Sequence, residues 1–495
     1  MMPATQYRRS AHFATRFAPR LWSDCALCLA AVILPVTALA QNAVALSNDT
    51  LEALARYERQ LEDLETRYDS YHASLLEPLQ AMEALLDEQG QYQQVAELQD
   101  RQLQLLRTSL GFEHPDLVPV LEGMITTQMR LRNWSQVTDH LEHIRYLQSV
   151  NHGNDSAQVL DAWQRQAQWQ LNQVFLDREV DRASLVLDAR DIFDDTLDLA
   201  EEKYGKDDPA LVPWLYRRAL SLYYQVALLN TDSGLAGRAI EEVSRRDGMT
   251  RLNSARQGRV FSPLGFGSAN RIPVVDGDEP VGVAYLRQAL SFINDIEDIA
   301  QAHDDAELQA LAQIYHGDYH LLMDRSSGQR DYQDAHEQLL ALGIDSARVD
   351  RFFARPMPIP LPEFFTSFEA MERYQQSLYA DLPGAEDNMA YVGVFTAWDE
   401  DVAEVALPQP PARFPPMQIN SNEVELEFRI SSRGQVSSVD VIEVWPHERE
   451  TDRKVERKAW RAARHMQFRP AFVDGRNQTT QDARLRYRYF VREEP

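Results

Sequence analysis

The sequence predicts an α+β chain: a mostly α-helical solenoid of repeated helix pairs, followed by a small strand-strand-helix-strand domain. Three observations carry this. Apolar residues recur at three- and four-residue steps from Leu51 to about Tyr379. Segments inside that stretch repeat at fixed offsets. After the Pro-rich run 407–416 the apolar period shortens to two.

The N-terminus reads first as an export segment, residues 1–40. Arg8, Arg9, Arg16 and Arg20 precede the apolar run 25–40, and Ala38-Leu39-Ala40 is a small-x-small cleavage site before Gln41. The run is shorter than a membrane-spanning helix and contains Pro35. An uncleaved signal anchor is the competing reading. Arg8-Arg9 is a weak hint of twin-arginine export. Both cysteines, Cys25 and Cys28, fall in this run, so cleavage leaves a chain without thiols. The expected localisation is periplasmic; the alternative is the inner membrane, facing the periplasm.

The helical body follows, expected as repeats over 41–244 and 283–380. Gly90-Gln91-Tyr92 aligns with Arg132-Asn133-Trp134, and Gly111-Phe112-Glu113 with Gly153-Asn154-Asp155, both at an offset of 42. Gly111, Pro115, Leu117, Val118, Pro119 and Leu121 match Gly205, Pro209, Leu211, Val212, Pro213 and Leu215 at an offset of 94. A Gly that ends one helix and a Pro in the first turn of the next explain the spacing, with Asp207 or Asp208 available as a cap. Around these residues, and at Gly317, Tyr319, Leu322, Ala335 and Leu339, the chain resembles the tetratricopeptide repeat (TPR) family in its longer, kinesin-light-chain-like form. That resemblance implies a scaffold for protein or peptide partners and leaves the client open.

Two interruptions break the body. Residues 245–282 are rich in Gly, Pro and Ser and read as an irregular loop, with a lid or client loop as the alternative. Residues 356–362, PMPIPLP, read as extended polyproline-like chain serving as a linker or strap, with a docking peptide as the alternative. A linker is expected over 381–416.

In the last segment, 417–495, Val424, Leu426, Phe428 and Ile430 alternate with charged residues as a half-buried strand. A turn at Ser432-Arg433-Gly434-Gln435 leads to a second strand through Val436, Val439, Val441 and Val444. Residues 452–466 read as a helix with Val455, Ala459, Trp460, Ala463 and Met466 on one side. A turn at Asp474-Gly475 precedes a final strand through Ala483, Leu485, Tyr487, Tyr489 and Val491. With RFPP before the first strand and the run from Ala459 to Gly475, residues 413–492 resemble the TonB C-terminal domain. The resemblance implies docking to an envelope partner by strand addition. It makes 484–490 the candidate edge, with Arg484, Arg486, Tyr487, Arg488 and Tyr489 as partner-binding residues. The alternating arginines either prefer an acidic partner or protect a free edge. TonB proteins also carry an uncleaved anchor and a Pro-rich spacer, which this chain replaces with a cleavable-looking segment and a helical body.

Composition narrows function. The chain has 495 residues, 44 % hydrophobic and 25 % charged, with 20 Gly and 24 Pro, which excludes collagen-like, disordered and disulfide-scaffold classes. The net charge of -26 argues against nucleic-acid partners. The export segment and the tail 405–495 are each net +3, so residues 41–404 carry -32 and an acidic body joins a mildly basic tail. That tail could also dock onto the body intramolecularly.

Chemical motifs are few. His316 and His320 share one helix face with Asp318 between them, a spacing that suits zinc, but no third ligand is evident and packing is the simpler role. His140 and His143 read as surface or groove residues. Acidic pairs such as Glu201-Glu202 and Asp194-Asp195 are expected by chance among 76 carboxylates. Trp134, Trp163, Trp169 and Trp214 read as repeat-core or groove residues. No nucleophile elbow, phosphate-binding loop or dinucleotide glycine pattern is present. The expectation is therefore a non-enzymatic scaffold with no catalytic residues, no metal and no cofactor. The alternative is an energy-transducing transport component held by its N-terminus.

Overall fold

Fourteen α-helices and ten strands are described in a computed structural model. It covers residues 48–153, 156–176, 182–231, 274–275, 279–323, 327–380, 382, 384–385, 388–397, 421–445, 456–457, 459–464 and 466–490. The export segment with Cys25 and Cys28, most of the 245–282 loop and the RFPP run lie outside the described residues.

Eight helices open the body: α1 (Asn48–Arg67), α2 (Leu76–Glu88), α3 (Tyr92–Leu110), α4 (Leu117–Arg130), α5 (Trp134–His152), α6 (Ala157–Leu176), α7 (Arg182–Tyr204) and α8 (Val212–Thr231). Each packs on the next. Ion pairs also join every second helix: Arg101 of α3 to Glu65 of α1, Arg130 of α4 to Asp87 of α2, and Arg165 of α6 to Glu122 of α4. The latter two span 43 residues each, next to the sequence repeat of 42. Adjacent contacts build helix pairs, and the skipping contacts stack one pair on another.

The aligned turns are alike in backbone as well as position. After α2 the Gly90 N–H meets the Asp87 carbonyl and the Gln91 N–H the Leu86 carbonyl. After α4 the Arg132 N–H meets Met129 and the Asn133 N–H meets Gln128 in the same pattern. Gly90 and Arg132 are both left-handed, at φ +70° and +59°. This is the Schellman turn, which returns two orphaned helix carbonyls to hydrogen bonds. Asp208 caps the turn before α8 by accepting from the Ala210 N–H at 2.8 Å, with Pro209 in the first turn.

The second block holds α9 (Val281–Ala302), α10 (Ala306–Leu322), α11 (Gly328–Ala341), α12 (Ser346–Ala354) and α13 (Phe368–Ser377). Of the expected loop before it, residues 274–275 and 279–282 are described; β1 (Val274–Val275) and β2 (Glu279–Pro280) form a short antiparallel ribbon. Gly317 lets α11 approach α10 closely: a Cβ there would meet the Tyr332 ring at 2.4 Å. Ala335 and Leu339 are buried as the repeat pattern requires.

The stretch 356–362 is not polyproline-like throughout. Met357–Ile359 form β3, paired antiparallel with β7 (Gln467–Arg469) of the tail. The partner strand is the reason: its backbone groups are available beside Met357 and Ile359, both of which are buried. Tyr216 donates to the Leu361 carbonyl at 2.7 Å and Tyr315 to the Glu363 carbonyl at 2.7 Å, so the segment straps across α8 and α10.

The tail contributes β5 (Ser421–Ile430), β6 (Val436–Trp445), β7, β8 (Phe472–Val473), β9 (Arg476–Asn477) and β10 (Thr480–Phe490), with a helix, α14, over 456–457 and 459–464. Residues 391–397, expected within a linker, form a further strand, β4 (Tyr391–Ala397). Their β-branched and aromatic content suits that state. The sheet order is β4-β10-β5-β6, antiparallel except for the parallel pair β4–β10. The last strand is therefore interior, and the expected free edge is taken by β4.

Val424, Leu426, Phe428 and Ile430 of β5 face Ala459, Ala462, Ala463 and Met466 across the small core. Ala459, Ala462 and Ala463 form the apolar stripe of α14, and Met466 follows just after it. Trp460, expected on that side, is instead 37 % exposed and donates its indole N–H to the Val439 carbonyl.

Candidate partner-binding surfaces

The five residues expected at a free edge divide differently in the fold. Arg484 donates to Glu427 at 3.0 Å. Arg486 lies 3.7 Å from Glu423 and 3.6 Å from Glu425, with its guanidinium 5.1 Å from the Trp445 ring centre. The alternating arginines of β10 thus face the alternating glutamates of β5 across one sheet face. Opposite charges in cross-strand register stabilise the pair, so these groups are committed inside the molecule. Tyr487 is buried in the core on the other face. Arg488 and Tyr489 are described in backbone alone; they pair with Glu423 and Asn422 of β5 and with Thr396 and Ala397 of β4.

The outer strands of the sheet are β4 and β6. On β6 the register slips twice against β5, Ser438 is left-handed, and Ile442 is 48 % exposed. Bulges and the charges of Asp440 and Glu443 blunt this edge against stray pairing.

The helical body offers a different surface, rich in side-chain amides. Gln99 and Gln102 of α3 donate to the two Glu83 oxygens at 2.7 and 2.6 Å. Gln166 of α6 donates to Glu142 at 3.3 Å, and the Trp169 indole to Thr138 at 2.8 Å. Yet the carbonyl oxygens of Gln99, Gln166 and Gln170 are buried without a hydrogen-bond partner. A buried acceptor left unmade costs about 1–3 kcal/mol. The tryptophans divide between roles: Trp134 and Trp169 are core, 6.0 Å apart, whereas Trp163 and Trp214 carry Arg145 and Arg217 over their rings.

One group that sequence reasoning passed over joins the tail to the body. Arg469 of β7 donates from Nε and Nη2 to the two Asp318 oxygens of α10 at 2.9 and 2.7 Å. Tyr332 of α11 donates to the same carboxylate at 2.8 Å. All three side chains are fully buried. Burial alone would lower the Arg469 pKa, and Asp318 more than reverses this, holding the guanidinium charged. The signal was present twice, as Asp318 between two histidines and Arg469 before Pro470. Nothing in either local pattern linked two residues 151 positions apart. Phe472 extends the junction by entering the core that α6–α8 share with the second helical block.

The histidines are structural in arrangement. His316 lies 3.2 Å from Glu297 of α9, and His320 Nδ1 lies 2.6 Å from Asp331 of α11, so each pairs with a different neighbouring helix. Burial pushes the His316, His140 and His143 pKa values down. Among the described residues no three His, Cys, Asp or Glu side chains group as metal ligands. Among the same residues no helix is long and apolar enough to cross a membrane.

No protein-family model matches the chain, and no curated protein matches it. Solved structures do. A Podosopora anserina protein described as a kinesin light chain, with nearly identical TPR-like repeats, is 14 % identical over 40 % of this chain and 88 % of its own, at a TM-score of 0.28. BtubC (BKLC) from P. vanneervenii is 12 % identical over 60 % of this chain and 94 % of its own, at a TM-score of 0.27.

Proposed function

We propose that this protein is a non-enzymatic interaction scaffold of the cell envelope, exported by its N-terminal segment. Its TPR-like helical body takes an extended peptide or protein segment, and its TonB-like tail docks a second partner by strand pairing. The observation that carries the reading is the stacking of helix pairs, each helix packed on the next and ion pairs joining every second one. Stacked helix pairs of this kind build extended surfaces along which a partner segment lies. Peptide capture on such amide-rich helical stacks needs no catalytic group.

The test is in-cell cross-linking of the full chain followed by identification of the bound proteins. Trp163→Ala removes a half-buried ring of the helical stack, the one that carries Arg145. Loss of the partners retained by the wild type, with an unchanged melting temperature, supports the reading. Retention of every partner overturns it. N-terminal sequencing of the same material checks cleavage: a start at Gln41 supports the released scaffold, and an intact terminus in the inner membrane overturns it in favour of the anchored transport component.

A further inference from the structure

The C-terminal sheet is three antiparallel strands with one foreign strand. β5 and β6 form a hairpin and β10 returns antiparallel beside β5, whereas β4 comes from the stretch before the tail and pairs parallel with β10. Four features make β4 the separable member. Parallel pairing is less stable per residue. Its register slips between Arg484 and Leu485. Gly393 sits within it, which weakens a strand. Among its described side chains, Val392 alone enters the tail core. Three strands with an apolar face and a packed helix meet the minimum for independent stability, and β10, β5 and β6 with α14 reach it without β4.

The approach to β4 is nonetheless controlled. Arg355 is buried over the Tyr379 ring and donates to the Ala385 carbonyl at 2.7 Å, with the Asn388 carbonyl at 3.5 Å. The Arg484 N–H then meets the Ala390 carbonyl at 2.8 Å and starts the parallel ladder. The helical body therefore aims this strand at β10.

We infer that β4 is a resident, displaceable occupant of the sheet's partner-strand site, and that the partner is an extended uncharged segment patterned like Tyr391-Val392-Gly393-Val394. The inference rests on the strand-docking half of the proposed function and adds where that docking occurs and what it recognises. The occupant already seated states the chemistry: no charge over Tyr391–Ala397, a small residue between β-branched ones, and an apolar side chain at the Val392 place. Because β4 is tethered, it competes at an effective concentration near millimolar. A partner's apparent affinity is reduced by the fraction of molecules in which β4 is seated.

The probe is a fluorescent peptide of residues 389–397 with two added C-terminal lysines, titrated onto the full chain. Val392→Asp bars the tethered strand from the core, while the peptide still carries valine for that place. A folded Val392→Asp variant should bind the peptide at least about tenfold more tightly than wild type, a gain a scrambled peptide lacks. A folded variant that binds no more tightly overturns the inference. Should that variant lose the sheet, hydrogen exchange on the wild type decides. β4 amides exchanging about 100-fold faster than those of β5 support a separable strand, and equal protection overturns it. Either failure leaves capture by the helical body untouched, because the Trp163 variant reads that separately.

Discussion

Asp318 and Arg469 show how a buried charge pair makes two segments one structure. Both side chains are almost wholly out of water, at 1 % and 2 % exposure. Removing either leaves the other as an uncompensated buried charge, which costs about 3–5 kcal/mol. Arg469→Met should therefore lower the melting temperature sharply in thermal denaturation, and Asp318→Leu likewise. The double variant should recover most of the loss, because an apolar pair of similar volume fits a site with no charge left in it. Tyr332→Phe tests the third member: the carboxylate keeps both arginine donors, so the loss should stay near 1–2 kcal/mol. Gly434 is a second single-residue control. It is left-handed, and a Cβ there would sit 2.0 Å from the Phe468 carbonyl oxygen. Gly434→Ala should cost about 3 kcal/mol by chemical denaturation, because backbone rather than a movable side chain must give way.

Elements repeat more faithfully than their residues do. The turns ending α2, α4 and α9 have one hydrogen-bond pattern, with Gly90, Arg132 and Asp304 at its left-handed position. Only the first is glycine, so the other two carry strain that glycine would not. Asp304→Gly should raise stability by about 0.5–1 kcal/mol in urea denaturation, and Gly90→Ala should lower it by a similar amount. The offset of 42 was legible because packing forces the same turn to recur, and the alignment of Gly90 with Arg132 located it despite the changed residue. Strands β5 and β10 were legible from period-two burial for the same reason, and β6 from its valines although its register slips twice. β4 was not: its seven residues lie among Gly, Pro and acidic positions that read as linker, and its partner is almost a hundred residues away. The β3–β7 pair and the Asp318–Arg469 contact were hidden in the same way. Local pattern reports which face of an element is apolar, and it carries no label for the distant segment that covers it. The paired arginines of β10 were misread because charge on a strand looks alike whether it guards an edge or faces glutamates on the next strand.

At the scale of the whole molecule, the two helical blocks should respond to acid together. His140 and His143 lie in the first block and His316 in the second, and burial depresses all three pKa values below the ordinary 6.5. A group that binds its proton less readily when folded favours the folded state only while it is neutral. Its contribution is therefore complete above about pH 6.5 and is lost as pH falls from there through the lower folded values, because the unfolded chain takes up the proton first. For His316 the carboxylate of Glu297 opposes the effect of burial without reversing it. The melting temperature should hold steady from pH 8 to 7 and fall between pH 6.5 and 5. The slope should correspond to net proton uptake on unfolding, checked by calorimetry in buffers of different ionisation enthalpy. His140→Gln should flatten that slope, since a neutral amide occupies the site at every pH. If the two blocks unfold in one transition, the flattening will appear in the whole curve rather than in a fraction of it. That outcome is the one the buried junction predicts, because Arg469 and Phe472 tie the tail to α10, α11 and the core beneath them. Two resolved transitions at pH 5 would instead place the boundary within the first block, where the apolar core around Leu121 and Val137 is separate from the one that α6–α8 share with the second block.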